Sequence, residues 1–213
     1  MRPDTLYGAT RDTRRSGCLV SEVLEPRLTY ADYLAVEAAA EHKHDFVRGR
    51  LTAVAATSRA HNRIAMQVAG ELYVALAGTP CRPVGSDQRV RVRSAELACY
   101  PDVTVVCGDD EADPDDDDAI VNPMVVIEVL SRSTEAYDRG EKFAALRELP
   151  SLRQFVLLHQ DRAHAELFTR EADGTWRLSF HREELPLATV HASLDLGRVY
   201  AGVATSGEGQ GEG

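Results

Sequence analysis

The chain has 213 residues, a length suited to one domain with or without tails. Hydrophobic residues make up 44% of it, enough for a real core, but no apolar run approaches the roughly 18 residues of a membrane helix, and the polar start MRPDTLYGATRDTRRSGC has no signal-like apolar stretch, so neither feature is expected. A formal net charge of −10 argues against tight, non-specific binding to nucleic acid, which needs a basic footprint.

The first 27 residues are polar, with a basic patch at Arg11, Arg14 and Arg15, and show no sustained period. They read as a disordered extension. Thr29 is then an N-cap, with Asp32 at the third helical position and Tyr33, Leu34 and Val36 as apolar contacts. Phe46-Val47, Arg48-Gly49 and Leu51–Ala56 read as a hairpin, with Asp45 near its start. Ser58 opens the longest predicted helix, to about Ala77, with Ile64, Val68, Leu72 and Leu76 forming a stripe at spacing four and Gly78 closing it. His61 and Asn62 lie in its first turn. They either face a phosphate at the helix N-terminus or sit on the surface of the capping turn.

Asp87–Arg93 alternates strictly, so a strand with one basic face is expected. Its arginines, Arg89, Arg91 and Arg93, either line a nucleic-acid groove or balance nearby acids. Two short apolar runs follow, Val103–Val106 and Met124–Ile127, each reading as a buried strand and each abutted by an acid, Asp102 and Glu128. Between them, eight acids in positions 109–118 read as a solvated, self-repelling loop; without them the formal charge of −10 would be −2. A turn at Ser131–Thr134 caps a helix to about Arg147 that carries Asp138 and Lys142. Strands are expected over Arg153–His159, His164–Arg170 and Trp176–Phe180, and a short helix near Leu194–Tyr200. The Gly/Glu-rich tail from about residue 203 reads as disordered. The four cysteines, Cys18, Cys81, Cys99 and Cys107, show no CxxC spacing and read as reduced thiols of a cytoplasmic protein.

Asp102 and Glu128 are the sharp pair. Carboxylates at the margins of two buried strands lose hydration and repel each other unless a cation sits between them. Mg²⁺ prefers oxygen ligands, keeps several waters and needs only one or two carboxylates. Lys142 is the candidate for the remaining charge. Taken singly, Asp102 reads equally well as a turn residue, Glu128 as the partner of a core arginine, and Asp138 with Lys142 as a surface ion pair at spacing four.

The strings DFVRGRL, TSRAHNRIA, GSDQRVRV, YPDVTVV, NPMVVIEVLSRSTEAYDRGEKF and LPSLRQFVLL resemble the Uma-type restriction endonucleases of the PD-(D/E)XK superfamily over roughly residues 28–202. The resemblance implies an α/β (α+β) fold of restriction-endonuclease type, a mixed central sheet flanked by helices. It also implies Mg²⁺-dependent hydrolysis of DNA phosphodiester bonds, with Mn²⁺ as a substitute, and a possible homodimer. The family's metal-binding acids fall on Asp102 and Glu128, and its early hairpin acid on Asp45. Leu130 stands where the superfamily usually has its lysine, which points to Lys142 as the substitute. Asp45 is one methylene shorter than the usual Glu, and Arg50 replaces an acid common in the family. These departures motivate an alternative: a catalytically silent binding or assembly module. A third reading is a phosphohydrolase of RNA or nucleotides.

Overall fold

A computed structural model describes residues 27–54 and 57–204. The expected N-terminal extension, save Arg27, and the tail from residue 205 lie outside them, as do Cys18 and residues 55 and 56. Val203, placed at the start of that tail by composition, is buried in the core.

Helix α1 (Tyr30–Glu37) begins as expected, on a capping box in which Thr29 and Asp32 satisfy each other's backbone donors. Strands β1 (His44–Val47) and β2 (Arg50–Ala53) form the hairpin. Both turn residues have positive φ, Arg48 at 49° and Gly49 at 80°, as a two-residue turn matched to strand twist requires. A Cβ on Gly49 would stand 2.6 Å from the Arg27 Cβ. Gly49→Ala is therefore expected to destabilise by about 2 kcal/mol, read as a lowered urea midpoint with unchanged slope.

Helix α2 (Arg59–Ala75) is capped by the Ser58 hydroxyl, and its stripe of Ile64, Val68, Leu72 and Leu76 is buried as the spacing predicts. The chain continues through β3 (Cys81–Gly85), β4 (Arg89–Val92), β5 (Leu97–Cys99), β6 (Val103–Cys107), β7 (Ala112–Asp113), β8 (Asp116–Ile120) and β9 (Val125–Leu130). Helix α3 (Glu135–Tyr137), a π turn (Asp138–Lys142) and α4 (Phe143–Leu146) together make the helix predicted after Thr134. Then come β10 (Gln154–His159), β11 (Ala165–Arg170), β12 (Trp176–His181), β13 (Glu184–Leu187), β14 (Ala192–Asp195) and α5 (Leu196–Val199).

Two six-stranded mixed sheets result, ordered β2-β1-β5-β4-β8-β7 and β12-β11-β10-β9-β6-β3, with β13 and β14 as a separate pair. The single central sheet of the expectation thus has a companion. One face of the second sheet packs on α2, β14 and α5. Its other face packs on the first sheet and α4 through Val90, Leu97, Val126, Phe155 and Leu146. This seam between the sheets positions the site.

Two expectations are corrected. The acidic run is not a solvated loop: it forms the β7–β8 hairpin at the edge of the first sheet, with Asp113 and Asp116 buried against arginines. Charge density shows repulsion within a segment and is blind to cations arriving from elsewhere. The cysteines are not all thiols: the antiparallel β3–β6 register sets Cys81 opposite Cys107, and the two are joined as a disulfide. Cys99 is free and buried. A chain carrying this disulfide does not have the all-thiol set expected of a reducing compartment. No helix among the described residues is long and apolar enough to cross a membrane.

Candidate active site

The antiparallel β6–β9 ladder pairs Val103 with Ile127; one step further, Asp102 stands opposite Glu128. The backbone locks the two acids together. Val129 N–H donates to Asp102 Oδ2 at 2.7 Å, and Asp102 N–H points at Glu128 Oε2 at 3.4 Å. Glu128 shares its strand face with Val126 and Leu130, so it enters the seam between the sheets. From across the seam, the β1–β5 ladder brings Asp45 beside Cys99.

Lys142 reaches the same point from the π turn. Its Nζ lies 2.6 Å from Glu128 Oε1 and 3.7 Å from Asp138 Oδ1. The wider turn lets Asp138 and Lys142 both point inward, each about 4% exposed, while Arg139 between them reaches out to β11; π turns recur at functional sites for this kind of re-aiming. A cavity of about 90 Å³ is lined by Asp45, His61, Asp102, Glu128, Asp138 and Lys142.

Four carboxylates thus surround one ammonium. Burial pushes the Glu128 carboxyl well above its ordinary range, and Lys142 only partly offsets this. Burial likewise raises Asp45 and Asp138. For Lys142 burial works the other way, but Glu128 and Asp45 outweigh it and hold the ammonium charged well above its usual range. Among the described residues, Lys142 is the one cation beside Glu128 Oε1, at 2.6 Å, while the neighbouring Asp102 adds a second carboxylate. Two carboxylates locked side by side in a buried cavity, the burial of Glu128 only partly offset by Lys142, suit a divalent cation bound by oxygen.

The structure brings Asp45, Asp102, Glu128 and Lys142 into this one cavity. The two Asp45 oxygens accept from Tyr100 N–H at 3.2 Å and the Tyr137 hydroxyl at 3.1 Å, which fixes the carboxylate against the cavity wall. His61 is not on the surface of the capping turn; it lines the cavity. It is buried, with Nε2 3.1 Å from Asp102 Oδ2 and Nδ1 unpartnered. From its spacing Asp138 reads as half of a surface pair, and nothing in the sequence singles out Tyr137. An i, i+4 spacing does not reveal a π turn, and only the burial of Lys142 would have drawn Asp138 in.

The arginines lie elsewhere, on the outer face of the first sheet. Arg89 grips both oxygens of Asp116, at 2.6 and 2.8 Å, and the Tyr100 hydroxyl at 2.7 Å. Arg91 lies 3.9 Å over the Tyr30 ring and donates to the Leu97 carbonyl. Arg93 pairs with Asp113 and Asp115. The alternation is real, but α1 and the β7–β8 hairpin bury Arg89 and Arg91, and Arg93, half exposed, is paired with acids of the hairpin. Of the two alternatives, the structure gives the balance of acids.

Residues 30–200 match the family described as "Uma2: Putative restriction endonuclease". The chain belongs to the Uma2 family. Two relatives from Synechocystis sp. are the uncharacterised proteins slr1290 and sll1609. Each is 30% identical to this chain, the first over 84% of this chain and 94% of its own length, the second over 71% and 86%. Among solved structures, a putative nuclease belonging to DUF820 from Anabaena variabilis superposes with a TM-score of 0.66 at 12% identity, covering 80% of this chain and 96% of that one. That likeness bears out the restriction-endonuclease-like fold, and membership of the Uma2 family makes the chain a nuclease-family protein.

Proposed function

We propose that this Uma2 protein is a Mg²⁺-dependent endonuclease that hydrolyses DNA phosphodiester bonds, with Mn²⁺ able to substitute. The observation that carries the reading is the convergence of Asp102, Glu128 and Lys142, distant in sequence, in one cavity. Asp102 and Glu128 would hold the ion, which when bound polarises a phosphoryl oxygen and lowers the pKa of an attacking water. Lys142 stays an ammonium, so it cannot accept the water's proton; it orients the water or stabilises charge building on the phosphate. Asp45, held by Tyr100 and Tyr137, is an auxiliary acid that keeps Lys142 charged. His61 steadies Asp102.

In the presence of Mg²⁺ the wild-type protein should nick supercoiled plasmid, and Asp102→Ala should lose that nicking. Wild-type rates in Asp102→Ala would refute the assignment. Metal-binding heat without cleavage of DNA, RNA or small phosphodiesters would favour the silent module instead. Because the ion needs ionised Glu128, whose carboxyl burial has raised, Mg²⁺ binding should release protons and tighten as pH rises. Titration calorimetry in buffers of different ionisation enthalpy measures the proton count.

A further inference from the structure

Outside the cavity, the described residues place one other set of three side chains where they could share a cation: His159, His164 and Glu166. The β10–β11 ladder explains the placement. Leu157 pairs with Glu166 and Leu158 with Ala165, and His159 N–H donates to the His164 carbonyl at 3.0 Å. Side chains alternate along strands, so all three stand on one face at the end of the hairpin. One ligand atom from each lies within 4.8 Å of the others. A tetrahedral ion with bonds of about 2.0–2.2 Å needs ligand atoms about 3.3–3.6 Å apart. His159 Nε2 and Glu166 Oε1, 3.2 Å apart, fall within about 0.1 Å of that range. His164, half-buried and stacked on Phe180, completes the set within the same 4.8 Å limit.

A cation already occupies the position. The Arg139 guanidinium holds both oxygens of Glu166, with Nη2 2.7 Å from Oε1 and 3.4 Å from His159 Nε2. We propose that His159, His164 and Glu166 form a binding site for a borderline-soft divalent cation of the zinc class, and that Arg139 is the group it displaces. Two imidazoles and one carboxylate suit Zn²⁺, Co²⁺ or Ni²⁺ and not Mg²⁺, which prefers oxygen. The displaced guanidinium keeps a partner, since Arg139 Nε also donates to Glu135 at 2.9 Å. Arg139 anchors the π turn that carries Lys142, so occupancy of this site loosens the lysine and slows cleavage. That consequence rests on the nuclease reading; metal uptake does not.

The test is Zn²⁺ titration of the full chain by calorimetry in excess Mg²⁺, with Co²⁺ absorption as a second readout of tetrahedral nitrogen ligation. One equivalent should bind. His164→Ala, which leaves the Arg139–Glu166 pair intact, should weaken binding at least about tenfold, and Arg139→Gln should tighten it by about the same factor. Asp102→Asn should bind as wild type does. No uptake in excess Mg²⁺, equal affinity in His164→Ala, or weaker binding in Arg139→Gln would each overturn the site. Zn²⁺ should slow plasmid nicking by wild type and not by His164→Ala; uptake with equal nicking by both overturns the link to Lys142. Absence of nicking under every condition counts against the nuclease reading alone.

Discussion

Lys142→Met is expected to abolish Mg²⁺-dependent nicking and, without metal, to lower stability at neutral pH by about 3–5 kcal/mol, the cost of stripping a buried charge from its partners. The two effects share one cause. Lys142 is the ammonium among Asp45, Asp102, Glu128 and Asp138, and Glu128 and Asp138 lie 2.6 and 3.7 Å from its Nζ. Its removal leaves buried acids whose pKa values burial has already raised. A carboxyl raised in the folded state contributes its stability below the ordinary carboxylate pKa, roughly 4, and loses it as pH rises through the raised value. The deficit of the variant should therefore be small in mild acid and grow toward neutral pH. Mg²⁺ should restore much of it by supplying the missing positive charge. Urea midpoints across pH, with and without Mg²⁺, give the answer. A deficit independent of both would mean that the methylene stem of Lys142, not its charge, holds the seam together.

The two strands and the acid beside each could be read before the fold was known. The residues alone left Asp102 and Glu128 open to other roles, and it is the family resemblance that joined them with Lys142 and Asp45 in one site. Val103–Val106 and Met124–Ile127 are too short and too β-branched for helices, and an acid at the edge of each needs a partner. The α2 stripe and the Thr29 capping box are local patterns, and both stand as expected. What stayed hidden depends on register or on partners far away. Cys81 meets Cys107 only because β3 pairs with β6, and β3 itself, with Pro83 and Gly85, carries no strand signature. The acids of positions 109–118 meet Arg89 on β4 and Arg93 just after it, 20 or more residues earlier. Asp138 becomes part of the site through a π turn that no spacing announces. Burial of the arginine face comes from Tyr30 and Tyr33 on α1, whose docking is a tertiary event.

Arg89→Met is expected to destabilise the protein by about 3–5 kcal/mol while leaving any salt dependence of DNA binding unchanged. A phosphate-contacting arginine would show the reverse: near-normal stability, uniformly weaker binding and a salt slope reduced by about one. Arg89 bonds both oxygens of Asp116, which also accepts from the Tyr30 hydroxyl at 2.5 Å. Although burial would raise the Asp116 pKa, the bonds from Arg89 and Tyr30 outweigh it and hold the carboxyl below its ordinary range. A carboxylate depressed in the folded state contributes stability above the ordinary pKa of about 3.9, and that stability fades as pH falls through the depressed value. The gap between wild type and Arg89→Met should therefore be widest near neutral pH and shrink in acid, the same trend as for Lys142→Met, since both deficits come from an acid stripped of its cation. Arg89 also reaches toward the cavity: it bonds the Tyr100 hydroxyl, and Tyr100 N–H holds Asp45. Some loss of nicking should accompany the loss of stability, and Arg89→Lys, which keeps the charge without the two-pronged grip, should recover only part of either.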